Sequence, residues 1–340
     1  MNIDQQVELL MQGTEYGDDD LKKAMATELR QRLMEAEKEK RPLRVYCGYD
    51  PTSKDLHLGH TITMRKLRQF QELGHEVTFL IGSYTALEGD PSDKNKARPV
   101  LTLEQVSENA KTYTEQAFRV LDRAKTKVRY NGEWLSELSL VDLIKLGQNF
   151  TVQQFLAREN FAKRLEKDEP IYLHETFYAL MQGYDAVAMQ TDEAMGQKPL
   201  VGVICGILPG TDGVQRMSKS TGNIVPINSG AEDMYGKLMS MPDFAMEKYM
   251  QLVTRWPPNE IDALLKALES GNIHPRDAKM KLAREIVSIF YGEAEAGPAE
   301  ESFVKLFQQK EVPDEMPEFA LQPGMTVMDV LTGAALVSSK

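Results

Sequence analysis

The chain has 340 residues, and its 40 Lys and Arg against 51 Asp and Glu give a formal net charge of −11. At roughly 150 residues per domain, this length predicts about two domains, enough to bury a core without disulfides or a structural metal. Hydrophobic residues at 42% and charged residues at 27% exclude a disordered chain. The two cysteines, Cys47 and Cys205, are too few for a disulfide framework and favour a reducing cytosol.

The composition also limits where the protein acts and what it binds. No apolar run approaches the roughly 20 residues that cross a bilayer, and the amino terminus shows no signal peptide. We therefore expect a cytoplasmic protein that does not enter a membrane. The net negative charge excludes a protein that coats nucleic acid without regard to sequence. Nucleic acid could bind only at a local basic patch.

The first part of the chain reads as an α/β unit. Apolar residues at helical spacing predict a helix over 20–40, which Pro42 ends. Strands are predicted over 43–48 and 75–82, with a helix over 60–73 between them. A strand, a helix and a second strand at this spacing form a βαβ unit, which indicates a parallel sheet.

The rest of the chain changes from mixed to helical character. A helix over 103–120, a strand at Val128 and Tyr130, and a helix-rich stretch through Gln182 precede a further predicted strand over 202–208. Successive helices follow, and the chain ends in a tail with one short helix. The helices are predicted at 232–240, 243–254, 259–270, 276–291 and 327–336.

The strongest local motif lies between the first predicted strand and the next helix, where His57 and His60 flank Gly59. The start of a helix after a strand offers free N–H groups and a positive dipole end, which suit phosphate groups. Two imidazoles can hydrogen-bond phosphate oxygens there, and the glycine lets a flat base approach the backbone. A lone His-x-Gly-His is a weak signal, but its strand–turn–helix context favours a functional site.

Two further motifs contain polar and charged residues that could form binding sites. The run from Arg216 to Asn223 holds Lys219 among hydroxyls, and such a loop can close over a triphosphate and neutralise departing pyrophosphate. Tyr178, Gln182 and Asp185 are spaced by four and three residues, so they share one helix face able to hold a small zwitterion. Either motif alone is more often a solvated loop or an ordinary polar face.

Together these motifs resemble the two signatures of class I aminoacyl-tRNA synthetases. The runs 45–50, 89–92 and 178–185 narrow the resemblance to the tyrosyl-tRNA synthetase family, from about residue 20 to the carboxyl terminus. The resemblance implies an α/β doubly wound, Rossmann-like parallel sheet followed by an all-α bundle. It divides the chain into a catalytic domain with a connecting insertion that forms a homodimer interface, an anticodon-recognition domain, and the start of a truncated RNA-binding domain. The implied bounds are 1–227, with the insertion at about 100–170, then 228–316 and 317–340.

The resemblance also implies the reaction and the residues that carry it. L-tyrosine would react with ATP to give tyrosyl-adenylate, and the tyrosyl group would pass to tRNA(Tyr). Mg²⁺ would travel with ATP, and we expect no metal site in the protein. Tyr178, Gln182 and Asp90 would hold the tyrosine ammonium, and Tyr46 and Asp185 its phenolic hydroxyl. The catalytic residues would be Thr52, His57, His60 and Lys219, and the ATP site would comprise Gly48, Asp50, Gly59, Met217, Ser218, Lys219 and Ser220.

Three features depart from the family pattern. Glu88 stands where the family has an aliphatic residue, and its carboxylate could either strengthen the attraction for the ammonium or repel ATP. A turn and a helix are missing after Gly196, which we expect to weaken adenylate formation and uncover part of the sheet. The tail after residue 317 matches only the start of the usual RNA-binding domain.

These departures keep two alternative functions open. One is an impaired relative that serves as an RNA-binding or protein-binding scaffold, although Lys219 and both histidines argue against it. The other is a different nucleotidyltransferase with the same His-x-Gly-His motif, against which the helix carrying Tyr178 and Asp185 argues. Tyrosine activation is the prediction that uses all three motifs.

Overall fold

A computed structural model describes residues 1–89, 101–189, 200–218, 221–309 and 325–333. The first part of the chain contains both strands and helices, and the regular elements among the described residues after 230 are helices. The strands are β1 (Arg44–Tyr49), β2 (Glu76–Ile81) and β3 (Thr126–Tyr130). The helices that precede residue 200 are α1 (Ile3–Met11), α2 (Asp19–Lys38), α3 (Leu58–Glu72), α4 (Thr85–Glu88), α5 (Leu103–Ala117), α6 (Gly132–Leu135), α7 (Leu140–Gly147), α8 (Val152–Leu156), α9 (Glu159–Glu166) and α10 (His174–Ala188). The later helices are α11 (Ala231–Ser240), α12 (Met246–Val253), α13 (Pro258–Glu269), α14 (Pro275–Tyr291), α15 (Glu293–Phe303) and α16 (Val327–Gly333).

The described strands form one parallel sheet in the order β1-β2-β3. Val45 pairs with Val77, and Val77 in turn pairs with Thr126. Helix α3 connects β1 to β2 and packs on both strands, which confirms the predicted βαβ unit. Strand β2 is almost wholly buried, whereas β1 is half-exposed because it is an edge strand.

The strand predicted over 202–208 is wrong. This segment hydrogen-bonds instead to the residues after α1: the Glu15 N–H donates to the Ile204 carbonyl at 2.9 Å, and the Gly206 N–H donates to the Gly13 carbonyl at 3.0 Å. A cavity of about 1030 Å³ is lined by β1 on one side and by residues 200–203 on the other. A strand exists only where it pairs with a neighbour, and here the free edge of β1 lies across the cavity. The predicted gap after Gly196 falls in residues 190–199, outside the described residues.

The predicted helices are found at the expected places, and three helices, α1, α4 and α15, were not predicted. Helix α1 is closed by a capping box between Asn2 and Gln5. Helix α15 follows Gly292, whose φ of 82° breaks the chain direction after α14, and contains Pro298. Proline inside a helix argues against a helix prediction, so α15 was missed. The predicted helix over 327–336 is α16, and its last residues lie outside the described part.

Buried side chains of both parts of the chain form one continuous hydrophobic cluster. Phe79 from the sheet and Ile62 from α3 belong to the same cluster as Met234, Tyr249 and Ile286 from the later helices. The helical part therefore packs directly on the α/β part, while the exact bounds of the domains stay a prediction. None of the helices in the described ranges is long and apolar enough to cross a membrane.

Candidate active site

The site is built where the carboxyl ends of the three parallel strands meet, the edge at which α/β sheets bind ligands. Asp50 follows β1, Thr85 begins the helix after β2, and Asn131 follows β3. The Thr85 hydroxyl donates to Asp50 Oδ1 at 2.7 Å, and Asn131 Nδ2 donates to the Thr85 hydroxyl oxygen at 3.1 Å. A Cβ at Gly82 would lie 1.9 Å from Asp50 Oδ1. Glycine at this position therefore allows Asp50 and Thr85 to meet.

Helix α10 adds the third motif to this network. The Tyr178 hydroxyl donates to Asp50 Oδ2 at 2.9 Å. Two turns later, the Asp185 carboxylate accepts from Trp134 Nε1 at 2.9 Å and from Asn131 Nδ2 at 3.2 Å. A continuous chain of hydrogen bonds thus joins Tyr178 to Asp185 through the strand ends. Gln182 lies between them on α10 and is exposed.

The environment of Asp185 changes its acidity. Burial raises the pKa of Asp185 to about 6, the hydrogen bonds from Trp134 and Asn131 oppose this rise, and the negative charge of Asp50 adds to it. The carboxyl group is therefore held in one orientation by two donors and ionises close to neutral pH. Such a group can accept a hydrogen bond from a substrate hydroxyl.

The predicted phenol-binding residue on the sheet lies on the same side as α10. Tyr46 is half-buried and lines a cavity of about 230 Å³ that Ala188 and Met189 close at the end of α10. Asp185 lies one turn earlier on that helix. Gly48 is exposed further along β1 and lines the larger cavity beside the strand. Thr52 is exposed just beyond Asp50, to whose carbonyl its N–H donates at 2.8 Å.

The two histidines lie at the start of α3, as the motif predicted. The main-chain N–H of His57 donates to His60 Nδ1 at 3.2 Å, and the centroids of the two rings are 3.9 Å apart. A Cβ on Gly59 would lie 3.0 Å from the His57 ring, so the helix start leaves a flat surface beside that imidazole. The positive dipole end of α3 lies at the same place, although the His60 N–H is already donated to the His57 carbonyl at 2.9 Å.

The structure brings the second motif against the first. The Leu58 N–H donates to the Val225 carbonyl at 3.0 Å, and the Ile227 N–H donates to the Leu56 carbonyl at 3.2 Å. The buried Met217 has its Cβ 3.7 Å from where a Cβ on Gly59 would stand. The Ser218 N–H donates to Asn223 Oδ1 at 2.9 Å, which closes the base of the loop. Of the predicted site residues, Asp90, Lys219 and Ser220 lie outside the described residues.

Several residues of the network were not identified from the sequence. Asn131 and Trp134 orient Asp185, and Asn131 could have been found because it directly follows a predicted strand. Arg164 and Glu175 form a buried ion pair at 2.5 Å, with each side chain 4% exposed, and fix the first turn of α10 to α9. No local pattern marks that pair, because its two members belong to different helices.

The described ranges contain no group of three or more His, Cys, Asp and Glu side chains able to hold a metal ion. The imidazoles and the positive dipole end at the start of α3 instead suit an anion. The site therefore presents an anion-binding helix start beside an acidic, hydrogen-bonded corner on α10. This pair of environments fits a phosphate group and a primary ammonium group.

Comparisons with known proteins agree with this arrangement. A model of the family described as tRNA synthetases class I (W and Y) matches residues 38–201 and 193–308. The two matched stretches meet where the sequence predicts a missing turn and helix. The fold, the site and this match together define a class I aminoacyl-tRNA synthetase.

Comparison with individual relatives identifies the family within this class. The tyrosine–tRNA ligase of Carboxydothermus hydrogenoformans is 46% identical over 316 residues, which are 87% of this chain and 77% of the relative. That of Thermotoga maritima is 45% identical over 327 residues, or 91% and 82%. The chain thus belongs to the tyrosyl-tRNA synthetase family.

Solved structures support the fold. The tyrosyl-tRNA synthetase of Archaeoglobus fulgidus complexed with L-tyrosine superposes with a TM-score of 0.64 at 22% identity, covering 88% of this chain and all of that one. A C-terminally truncated mitochondrial tyrosyl-tRNA synthetase of Aspergillus nidulans gives a TM-score of 0.68 at 20% identity, covering 89% and 94%. The Rossmann-like fold with following helices is therefore confirmed.

Proposed function

We propose that the protein activates L-tyrosine with ATP to form tyrosyl-adenylate and then transfers the tyrosyl group to tRNA(Tyr). One structural observation supports this reaction in addition to the family membership. The histidine pair at the start of α3 and the network from Tyr178 to Asp185 are both assembled around the carboxyl end of β1. An amino acid held on α10 can therefore direct its carboxylate at the phosphates of ATP.

The phosphate end of the site comes from α3 and the loop after residue 216. His57, His60 and Thr52 bind phosphate oxygens at the positive dipole end of α3. Gly59 and Met217 leave a flat surface for adenine, with Gly48 and Asp50 beside the nucleotide. Lys219, with Ser218 and Ser220, neutralises the charge that develops on pyrophosphate.

The reaction needs no protein nucleophile. The tyrosine carboxylate attacks the α-phosphorus, the bond to the bridging oxygen breaks, and pyrophosphate leaves with its electron pair. Positioning and charge stabilisation then supply the catalysis. Mg²⁺ accompanies ATP and is held mainly by the phosphates.

The amino-acid end of the site comes from α10 and β1. Tyr178, Gln182 and Asp90 hold the ammonium group, and Tyr46 and Asp185 hold the phenolic hydroxyl. Trp134 and Asn131 support this assignment because they keep the Asp185 carboxylate fixed before the substrate arrives.

We also propose a homodimer formed by the connecting insertion, and tRNA binding by the later helices. Helices α7 and α8 contain no buried residue, although their sequences are largely apolar. In the helical part, two cationic side chains already pair within the chain, Lys279 with Asp243 and Arg284 with Glu293. Anticodon recognition by 228–316 and the cytoplasmic location stay predictions.

Tyrosine-dependent exchange of labelled pyrophosphate into ATP, measured without tRNA, tests the proposal. We expect saturable exchange that falls at least about tenfold in His57→Gln and in His60→Gln, because each loses a contact that stabilises the transition state. His274→Asn is the matched control, since His274 is an exposed helix cap and asparagine also caps helices.

The outcomes separate the alternatives. If the folded wild-type protein shows no exchange at saturating tyrosine and ATP, adenylate formation is wrong and the scaffold hypothesis takes its place. Exchange without charging of tRNA(Tyr) retains the activation step and contradicts the transfer step. Exchange driven by a substrate other than tyrosine favours a different nucleotidyltransferase.

A further inference from the structure

Glu88 is a half-buried acid between α4 and α10, the helix that carries most of the proposed amino-acid site. It is the last residue of α4, and its Oε1 accepts a hydrogen bond from the main-chain N–H of Tyr178 on α10 at 3.2 Å. The side chain of the same tyrosine reaches Asp50. Glu88 therefore lies against the part of α10 that carries the proposed ammonium contact.

The surroundings of Glu88 are acidic. Among the described residues Glu88 has no ion-pair partner, and Glu175 on α10 is already paired with Arg164. Burial raises the pKa of Glu88 to about 7, the hydrogen bond from Tyr178 opposes the rise, and the charges of Glu175 and Asp50 add to it. Helix α5 also packs on α4, and its buried face carries one titratable side chain, the phenol of Tyr113.

A half-buried carboxylate with acidic neighbours is stabilised by any cation that can enter. The sequence left open whether Glu88 attracts the ammonium or repels ATP. The hydrogen bond of Glu88 is with α10, whereas the proposed phosphate site is at the start of α3. The position therefore favours an attraction for the ammonium group.

We propose that Glu88 is a ligand for the ammonium group of the substrate amino acid, beside the hydroxyl of Tyr178. This assignment rests on the proposed tyrosine site. A purely positioning role is the competing interpretation, because the bond to Tyr178 also joins α4 to α10. The two roles differ in which part of the ligand they affect.

The test is calorimetric binding of two tyrosine analogues at pH 8, with no ATP present. Tyramine keeps the ammonium and lacks the carboxylate, whereas 3-(4-hydroxyphenyl)propionate keeps the carboxylate and lacks the ammonium. Glu88→Gln should weaken tyramine binding at least about tenfold, as expected for a hydrogen bond to a charged group. The propionate should bind as in the wild type or more tightly, because a negative charge has been removed.

Two controls test whether the change in affinity comes from the charge of Glu88. Glu137→Gln removes the same charge at an exposed site and should leave both affinities unchanged. Wild-type affinity for tyramine should fall between pH 8 and pH 6 as Glu88 becomes protonated, and this fall should be smaller in Glu88→Gln.

Equal weakening of both analogues would show a positioning role and overturn the proposal, as would unchanged tyramine affinity in Glu88→Gln. If the wild type binds neither tyrosine nor tyramine, both this proposal and the tyrosine site are wrong. Binding of tyrosine without pyrophosphate exchange contradicts only the proposed reaction.

Discussion

Asp185 shows how single residues acquire a function from their neighbours. Its carboxylate is 6% exposed and accepts from Trp134 and Asn131, which come from the segment after β3. Spacing along α10 predicted Asp185 as a site residue. The two donors could not be predicted from spacing, because they lie about fifty positions earlier in the chain.

The first prediction concerns selectivity for the phenolic hydroxyl. Asp185→Ala removes the proposed acceptor, so kcat/KM for tyrosine in pyrophosphate exchange should fall about 10-fold to 100-fold, the cost of a hydrogen bond to a charged group. Phenylalanine has no hydroxyl, so its kcat/KM should change little. Parallel measurements with both amino acids give the ratio of their kcat/KM values. An equal fall in kcat/KM for the two would show that Asp185 does not bind the phenolic hydroxyl.

Asp185→Ala also leaves two donors without their acceptor, so a loss of fold must be separated from a loss of selectivity. Urea unfolding of the variant measures its stability directly. Trp134→Phe is the matched variant, because it removes one donor and keeps the carboxylate. It should retain more selectivity than Asp185→Ala.

At the scale of elements, a buried side chain of α3 hydrogen-bonds to the end of α1. Lys66 of α3 is 9% exposed, and its Nζ donates to the carbonyls of Leu9 and Gln12 at the end of α1, at 3.3 and 3.1 Å. A cation at a helix carboxyl end is favoured by the helix dipole. The residues that follow α1 then pair with the segment at 204–206.

The second prediction concerns the pH dependence of stability. Burial lowers the pKa of Lys66 to about 8, whereas a lysine in an unfolded chain titrates near 10.4. Between these values the unfolded chain binds more protons than the folded one, so the Lys66 contribution to stability rises with pH. The free energy of unfolding should therefore rise more from pH 7.5 to pH 10 in the wild type than in Lys66→Met, by on the order of 3 kcal/mol at most.

Urea unfolding at the two pH values, with Lys23→Met as an exposed control, measures this difference. Other titrating groups cancel in the comparison because both proteins contain them. Equal pH dependence in the wild type and Lys66→Met would show that Lys66 titrates normally in the folded protein.

The segment at 202–208 shows why elements can be mispredicted. Its apolar run is typical of a buried strand, yet Ile204 and Ile207 are 52% and 60% exposed. Periodicity reports the side chains of a segment, whereas a strand also needs a neighbouring edge for its main-chain groups. The helices were predicted better because their hydrogen bonds are internal.

At the scale of the whole molecule, an apolar surface lies over the predicted connecting insertion. Leu140, Val141 and Ile144 of α7 are 54–73% exposed, and Val152 of α8 is 68% exposed. Leu173, which precedes α10, is 75% exposed. Clustered exposure of large apolar side chains is typical of an interaction site.

The third prediction tests the proposed homodimer. Sedimentation of the wild type should give twice the mass of the protomer. The double variant Leu140→Glu and Ile144→Glu should give the mass of the protomer, because charged side chains resist burial in an interface. Leu21→Glu changes an exposed leucine on α2, outside the predicted insertion, and should remain dimeric. A monomeric wild type would contradict the homodimer, and a dimeric double variant would place the interface elsewhere.

By itself, the sequence determined the family, the βαβ unit, most helices and the main site motifs. These features are local, because a motif, a cap or a helical period lies within a few residues. Only the tertiary structure decided that Trp134 and Asn131 hold Asp185, that Glu88 bonds to Tyr178, and that residues 204–206 pair with the end of α1. Each of these depends on residues distant in the chain, and their meeting depends on how the elements pack.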